Sequence, residues 1–304
     1  MISEIISFQN RGVVSIVEFS TKRVNTIEYI SGSEAIKQNL IEVLEISQTG
    51  SVNNLVVNNN SEKYIFLSDG DILAGAKQNR ILNTSLFLAP NSTKQIPVSC
   101  VEKGRWNYIS PKFSSTDYTA PVFLRAMKSD KVKNSLETEA GHYANQSEIW
   151  HEVENCCLKQ SVASFTSNLS DVFDNKKKEF ESVTNQFSYS DKANGLAVFI
   201  NENILDVEVF NRQDIYCEYF PKILKGVSGE ALHLKPKEKK LDKVEAVYKT
   251  NDFFDELENR KFKIFPGAGV GEEKRYESTD FSGFGLEYEG HLIHLAMLSL
   301  IKNF

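Results

Sequence analysis

The sequence has no stretch approaching 18 uninterrupted apolar residues, and its first segment, MISEIISFQNRGVV, lacks the positive flank and continuous apolar core of a secretory signal. A cytoplasmic protein without a membrane span is therefore expected. Cysteine is scarce. Cys100, Cys156, Cys157 and Cys217 show no CxxC spacing, which argues against a thiolate zinc site and for reduced thiols. There is no excess of positive charge either. A net charge of −6 over 304 residues opposes general nucleic-acid binding, which needs Lys and Arg gathered on one face, while still allowing a local basic pocket. No fixed-period repeat and no composition break marks a linker, so one domain over residues 1–304 is expected. Hydrophobic content of 41% and charged content of 25% are those of a soluble globular chain, which excludes wholesale disorder.

What is present begins as short β-branched runs. Gly12 to Phe19 and Val24 to Ile30 flank Ser20-Thr21-Lys22-Arg23 and read as a hairpin. Ser31 or Ser33 would cap a short helix from Glu34 to Leu40. Strands are expected at Ile41 to Ile46, Asn54 to Val57, Tyr64 to Leu67, Ile81 to Ala89 and Gln95 to Val101. A polar turn would lie at Asn58-Asn59-Asn60, and Pro97 suggests an edge or bulge. From Pro121 the apolar period becomes helical, with further helices over Asn145 to Gln160 and Leu169 to Phe187. Ser114 to Ala144 is polar enough for a mobile loop. Strands resume at Gly195 to Ile200 and Ile204 to Phe210, and helices follow from Gln213 to Leu224 and within Lys239 to Arg260. Three strands, Lys261 to Phe265, Phe284 to Tyr288 and His291 to Leu300, finish the chain. The expectation is an α+β fold, with β-rich N- and C-terminal segments in mixed or antiparallel sheets and a central helical insertion.

One stretch, Ser68 to Trp106, holds residue choices that folding alone explains least. Lys77, Gln78, Asn79 and Arg80 stand side by side after the small residues Ala74-Gly75-Ala76, and four long polar side chains in a row rarely serve a core. Arginine grips phosphate or carboxylate through paired hydrogen bonds, and lysine acts as a point charge. In an extended segment, alternation would send Lys77 and Asn79 to one face and Gln78 and Arg80 to the other. Glu102 and Arg105 could pair with each other or hold a ligand; Trp106 could stack on a purine or anchor a strand end. Cys100 is either a buried structural thiol or a nucleophile needing a nearby cation or imidazole, which His291 or His294 could supply. Asp69 and Asp71, with Glu102, could gather magnesium together with substrate phosphates. Near the C-terminus, GAGVG at 267–271 is no dinucleotide-binding fingerprint but could form an anion nest beside Arg275. In a strand His291 and His294 would point oppositely, one into the core and one toward Glu277 or Glu289 as acid-base partner.

The GAKQNR block followed by IPVSCVEKGRW resembles the bacterial domain family named for its association with ADP-ribosylglycohydrolases and rhodanese-phosphatase proteins. Glu45 to Val56, Gly195 to Phe210 and Arg275 to Ser299 are similar to its other segments, so the resemblance runs nearly end to end. It implies a link to ADP-ribose-type metabolites, and the motif itself names no reaction. The resulting expectation is an enzyme, a hydrolase or transferase, that binds and processes a phosphorylated nucleotide of the ADP-ribose or NAD type. Lys77, Arg80, Arg105 and Arg275 would hold anionic groups, Gln78, Asn79 and Trp106 would orient the ligand, and Glu102, Cys100 and His294 are the candidate catalytic groups. The competing expectation is a non-catalytic module that senses or sequesters a nucleotide or docks a protein partner.

Overall fold

The computed structural model describes residues 2–22 and 27–302. In chain order, the first strands and helix are β1 (Ile2–Arg11), β2 (Val14–Thr21), β3 (Tyr29–Ser31), α1 (Gly32–Lys37), β4 (Ile41–Glu45), β5 (Asn54–Asn59) and β6 (Tyr64–Leu67). Then come β7 (Asp71–Gly75), β8 (Arg80–Leu82), β9 (Leu86–Leu88), β10 (Ser92–Cys100) and β11 (Phe113–Thr119). The helical middle is α2 (Val122–Glu137), α3 (Gln146–Lys159), α4 (Leu169–Asn175) and α5 (Lys177–Thr184). The chain continues through β12 (Gly195–Ile200), β13 (Asn203–Phe210), α6 (Gln213–Ala231), α7 (Lys243–Asn259), β14 (Phe262–Pro266), β15 (Glu272–Tyr276), β16 (Phe281–Tyr288) and β17 (His291–Ser299). The fold is α+β, with strands at both ends and helices between, as the sequence patterning implied. No helix among the described residues is long and apolar enough to cross a membrane.

Strands from both ends of the chain share one antiparallel eight-stranded sheet, ordered β1-β2-β12-β13-β17-β16-β15-β14. Its central strands are buried on both faces, which is why GLAVFI reads as a continuous apolar run rather than an alternation. Leu196, Val198 and Ile200 face one core, shared with α6 through Tyr219, Phe220 and Ile223. Ala197 and Phe199 face the other, which α7 closes with Phe253, Phe254 and Leu257. A second sheet runs β11-β7-β8-β10-β5-β4, and a third, β3-β6-β9, contains the parallel pair β3 and β6.

Several expectations change. The expected hairpin partner of β2 falls partly on residues 23–26, outside the described residues; β2 pairs instead with β1 and β12, and β3 belongs to another sheet. Ile81 to Ala89 is two strands, because Asn83, Thr84 and Ser85 leave the ladder between β8 and β9 to bond elsewhere. Leu169 to Phe187 breaks into α4 and α5 at Lys176. Ser114 to Ala144 is largely regular, formed by β11 and α2. Asn58 and Asn59 end β5 rather than forming the turn, and buried Asn59 donates to the carbonyls of Lys63 and Ala89. β15, unanticipated, pairs with β14 and β16. Ser31 caps α1 by accepting from the Glu34 N–H at 3.1 Å. Pro97 marks the point where β10 leaves β5 and takes up β8 at Val98, a place where its missing N–H costs no ladder bond.

Candidate functional site

Three loops meet at one end of the six-stranded sheet: residues 46–53 between β4 and β5, 76–79 between β7 and β8, and 101–112 between β10 and β11. Gly75, at φ +121°, and Ala76, at φ +40°, turn the chain sharply at the end of β7. The 76–79 segment is consequently a tight turn and not an extended strand. Lys77, Gln78, Asn79 and Arg80 therefore converge instead of dividing between two faces.

Arg105 builds this turn. Its guanidinium donates to the Ala76 carbonyl at 2.6 Å and the Asn107 carbonyl at 2.9 Å, and it clasps Glu102 through Nε (2.8 Å) and Nη2 (2.6 Å). Glu102 also accepts from the Asn79 N–H at 3.1 Å and the Thr166 hydroxyl at 3.3 Å, so both of its oxygens are engaged. Asn79 bonds Asn168 and Ser170 at 3.1 Å each, tying the turn to the start of α4. Its Oδ1 accepts from the Gly75 N–H at 2.9 Å.

Arg80 is fully buried. It donates to the backbone and side-chain oxygens of Gln78 at 3.1 Å and to the Ser51 carbonyl at 3.3 Å, with Glu45 Oε1 3.8 Å away. Burial pulls its pKa below the ordinary value, against the upward pull of Cys100 and Glu45. The Lys77 ammonium donates to the Thr49 carbonyl at 3.1 Å and sits 5.3 Å from the Trp106 ring and 5.1 Å from the Tyr108 ring. Arg80 lies 5.6 Å from the same Trp106 ring, which is 40% exposed. Cys100 is buried, with its thiol 3.0 Å from Gln78 Oε1. Burial pushes that thiol up more than Arg80 pulls it down, which disfavours a thiolate at neutral pH.

The opposite end of β7 and β8 leads into a second polar cluster, entirely enclosed. Asp69 pairs with Arg125 at 3.1 Å and with Lys128 of α2. Arg125 continues to Glu208 at 2.7 Å, Glu208 to His294 at 2.9 Å, and His294 Nδ1 to the Ser85 hydroxyl at 2.9 Å. Asp206 lies 3.5 Å from Arg125; burial and the Glu208 charge push its pKa well above the carboxylate range. Beside this chain, Arg275 clasps Glu273 and donates to Ser129 and Thr84. Asp71 accepts from the Tyr219 hydroxyl at 2.6 Å and lies 3.8 Å from Lys222.

The structure thus joins Lys77, Gln78, Asn79, Arg80, Cys100, Glu102, Arg105 and Trp106 in one place, and puts Asp69, Asp71, Arg275 and His294 in the enclosed cluster. The acids Asp69, Asp71 and Glu102 do not form the expected magnesium set: Asp69 precedes β7, Asp71 begins it and both pair with buried cations, Glu102 lies beyond its far end, and a five-residue strand spans about 17 Å. No group of three or more His, Cys, Asp or Glu among the described residues could hold a metal ion. Nor is GAGVG an open nest: the Val270 N–H donates to the Phe87 carbonyl at 2.7 Å, and a Cβ on Gly269 would meet that oxygen at 2.2 Å. The partner of His294 is Glu208, not Glu277 or Glu289. Glu45, Tyr108, Asn168 and Ser170 were missed at the site, and only the strand-end position of Glu45 signalled it. Volume alone points elsewhere, to a cavity of about 670 Å³ lined by Phe187, Tyr189, Phe220 and Lys225, but no cluster of bonded charges comparable to the three-loop site lines it.

A family model described as the ARG and Rhodanese-Phosphatase-superfamily-associated Protein domain matches residues 2–298. No curated protein and no solved structure matches the chain.

Proposed function

Because the chain belongs to the ARG and Rhodanese-Phosphatase-superfamily-associated Protein domain family, we propose that the three-loop site binds and processes a phosphorylated nucleotide metabolite of the ADP-ribose or NAD type. The observation that carries this reading is the pairing of Lys77 and Arg80 beneath an exposed Trp106. Lys77 makes no ion pair among the described residues, and both cations donate to neutral carbonyls of the 46–53 loop, Thr49 and Ser51. Phosphate oxygens are stronger, charge-assisted acceptors than carbonyls and would replace them. The exposed Trp106 ring, with Tyr108 nearby, offers a plate for a purine. Arg105, Glu102 and Asn79 position the turn. A hydrolase or transferase is the enzymatic form of this reading, in a cytoplasmic bacterial protein. The engagement of both Glu102 oxygens and the burial of Cys100 favour a second form, a module that senses or sequesters the nucleotide without altering it.

The test is incubation of the purified protein with ADP-ribose, its phosphorylated forms and NAD, with and without magnesium, reading thermal shift and product mass together. Stabilisation with a new product identifies the enzyme. Stabilisation with intact ligand identifies the sensor, and no response from any of the panel refutes the nucleotide reading.

A further inference from the structure

Residues 46–53 lie against Lys77, Arg80 and Trp106, the side chains that the nucleotide reading assigns to the ligand. The loop is fixed at its two ends, where Glu45 pairs with Leu55 and the Asn53 carbonyl accepts from the Val98 N–H at 2.9 Å. Between those ends, Ile46 and Val52 join none of the hydrophobic cores among the described residues. The hydrogen bonds that hold 46–52 to the rest of the described chain run from Lys77 Nζ to the Thr49 carbonyl, at 3.1 Å, and from Arg80 Nη2 to the Ser51 carbonyl, at 3.3 Å. A segment with so few buried contacts opens at low cost. The cations that tether it are the same cations proposed for the phosphates.

The loop is close-fitting where it rests. A Cβ on Gly50, which holds φ +77°, would stand 3.0 Å from the Lys77 side chain, 3.2 Å from the Trp106 ring and 3.3 Å from Glu45 Oε2. With the loop down there is no room for a methyl group between Gly50 and these side chains, and none for a nucleotide. Closure also carries a penalty: Glu45 Oε2 lies beneath it without a donor, and the Nε of the Arg80 guanidinium lacks an acceptor. Water reaching such groups on opening relieves that cost.

Resting on the nucleotide reading of this site, we propose that residues 46–53 form an autoinhibitory strap that occupies the ligand's place. The Thr49 and Ser51 carbonyls stand where phosphate oxygens would bond, and Gly50 covers part of the Trp106 ring on which a base would stack. A phosphorylated nucleotide binds by taking both cations from the strap, which then lifts away. Apparent affinity is the intrinsic affinity reduced by the fraction of molecules whose strap is raised.

Gly50→Ala adds the methyl that the closed strap cannot hold, and so raises that fraction. Titration calorimetry should show ADP-ribose binding about 10-fold more tightly to Gly50→Ala than to wild type. In wild type, thermolysin, which cuts before apolar residues such as Ile46 and Val52, should cleave the strap faster when ADP-ribose is bound, the reverse of ordinary ligand protection. If wild type binds ADP-ribose while strap cleavage slows or stays the same, the strap is overturned and the site stands; this arm needs no variant to fold. Equal or weaker binding by folded Gly50→Ala overturns it as well. If ADP-ribose binds neither protein, the nucleotide reading itself falls and takes the strap with it.

Discussion

Glu208 and Glu273 show how strongly individual side chains are conditioned by the enclosed cluster. Burial alone would raise both carboxyls, but Arg125 and His294 for the first, and Arg275, His142 and Thr84 for the second, outweigh it and hold each at about 2. An acid whose folded value is depressed stabilises the protein above its unfolded value, near 4.5, and loses that contribution as pH falls toward 2. Each is worth on the order of 3 kcal/mol over that window. Asp206 has the opposite sign, because burial and then Glu208 raise it, so it takes up a proton on folding and its contribution declines as pH rises above 3.8. Urea midpoints should therefore fall steeply between pH 4.5 and 2, and Asp206→Asn should leave the pH 7 midpoint unchanged or raise it. A flat midpoint through the acid window, or a loss beyond about 2 kcal/mol in Asp206→Asn, would contradict this assignment of charges. The sequence singled out Asp69, Arg275 and His294 but not their partners: Arg125 and Lys128 lie in a helix whose apolar period makes them look like solvated charges, and Glu208 sits among the apolar residues of β13.

At the scale of elements, the outer site depends on the hairpin of β7 and β8 more than on any helix. Gly75 is its critical position. A Cβ there would lie 2.5 Å from the Ser110 hydroxyl and 3.0 Å from the Lys112 carbonyl, on backbone already at φ +121°. Gly75→Ala should cost on the order of 1–3 kcal/mol and displace the turn that gathers Lys77 through Arg80. Nucleotide-induced thermal stabilisation should then shrink by more than the drop in the unliganded melting temperature. An unchanged ligand response would show that the turn does not shape the site. The sequence exposed this element well, because the motif and its supports, Glu102 and Arg105, lie in nearby loops close in the chain. It misjudged the turn itself: alternation assumes an extended backbone, and two consecutive positive φ values abolish it. Likewise the break at Asn83-Thr84-Ser85 was hidden by flanking apolar residues, since its cause is bonding to distant His142, Glu273 and His294.

Across the whole molecule, the eight-stranded sheet joins strands that no local pattern could pair, with Val17 beside Ala197 and Val207 beside Met297. Most of its strands were legible from β-branched runs, but β1 and β15 were not. Their order was not, because antiparallel neighbours such as β2 and β12, or β13 and β17, lie far apart in the chain and leave no mark in composition. That order brings His294 and Arg275 to the enclosed cluster and leaves Lys77, Arg80 and Trp106 at the other end of the hairpin, where the ligand site is proposed. The protein has two tryptophans, Trp106 and Trp150, and a Trp106→Phe variant separates the emission of the first from that of the second. Titrating ADP-ribose into wild type and Trp106→Phe while following tryptophan fluorescence is the most direct measurement. Saturable quenching in wild type that disappears in Trp106→Phe is the result the account requires; the same quenching in both proteins, or none in wild type at millimolar ligand, would place the nucleotide elsewhere or nowhere on this chain.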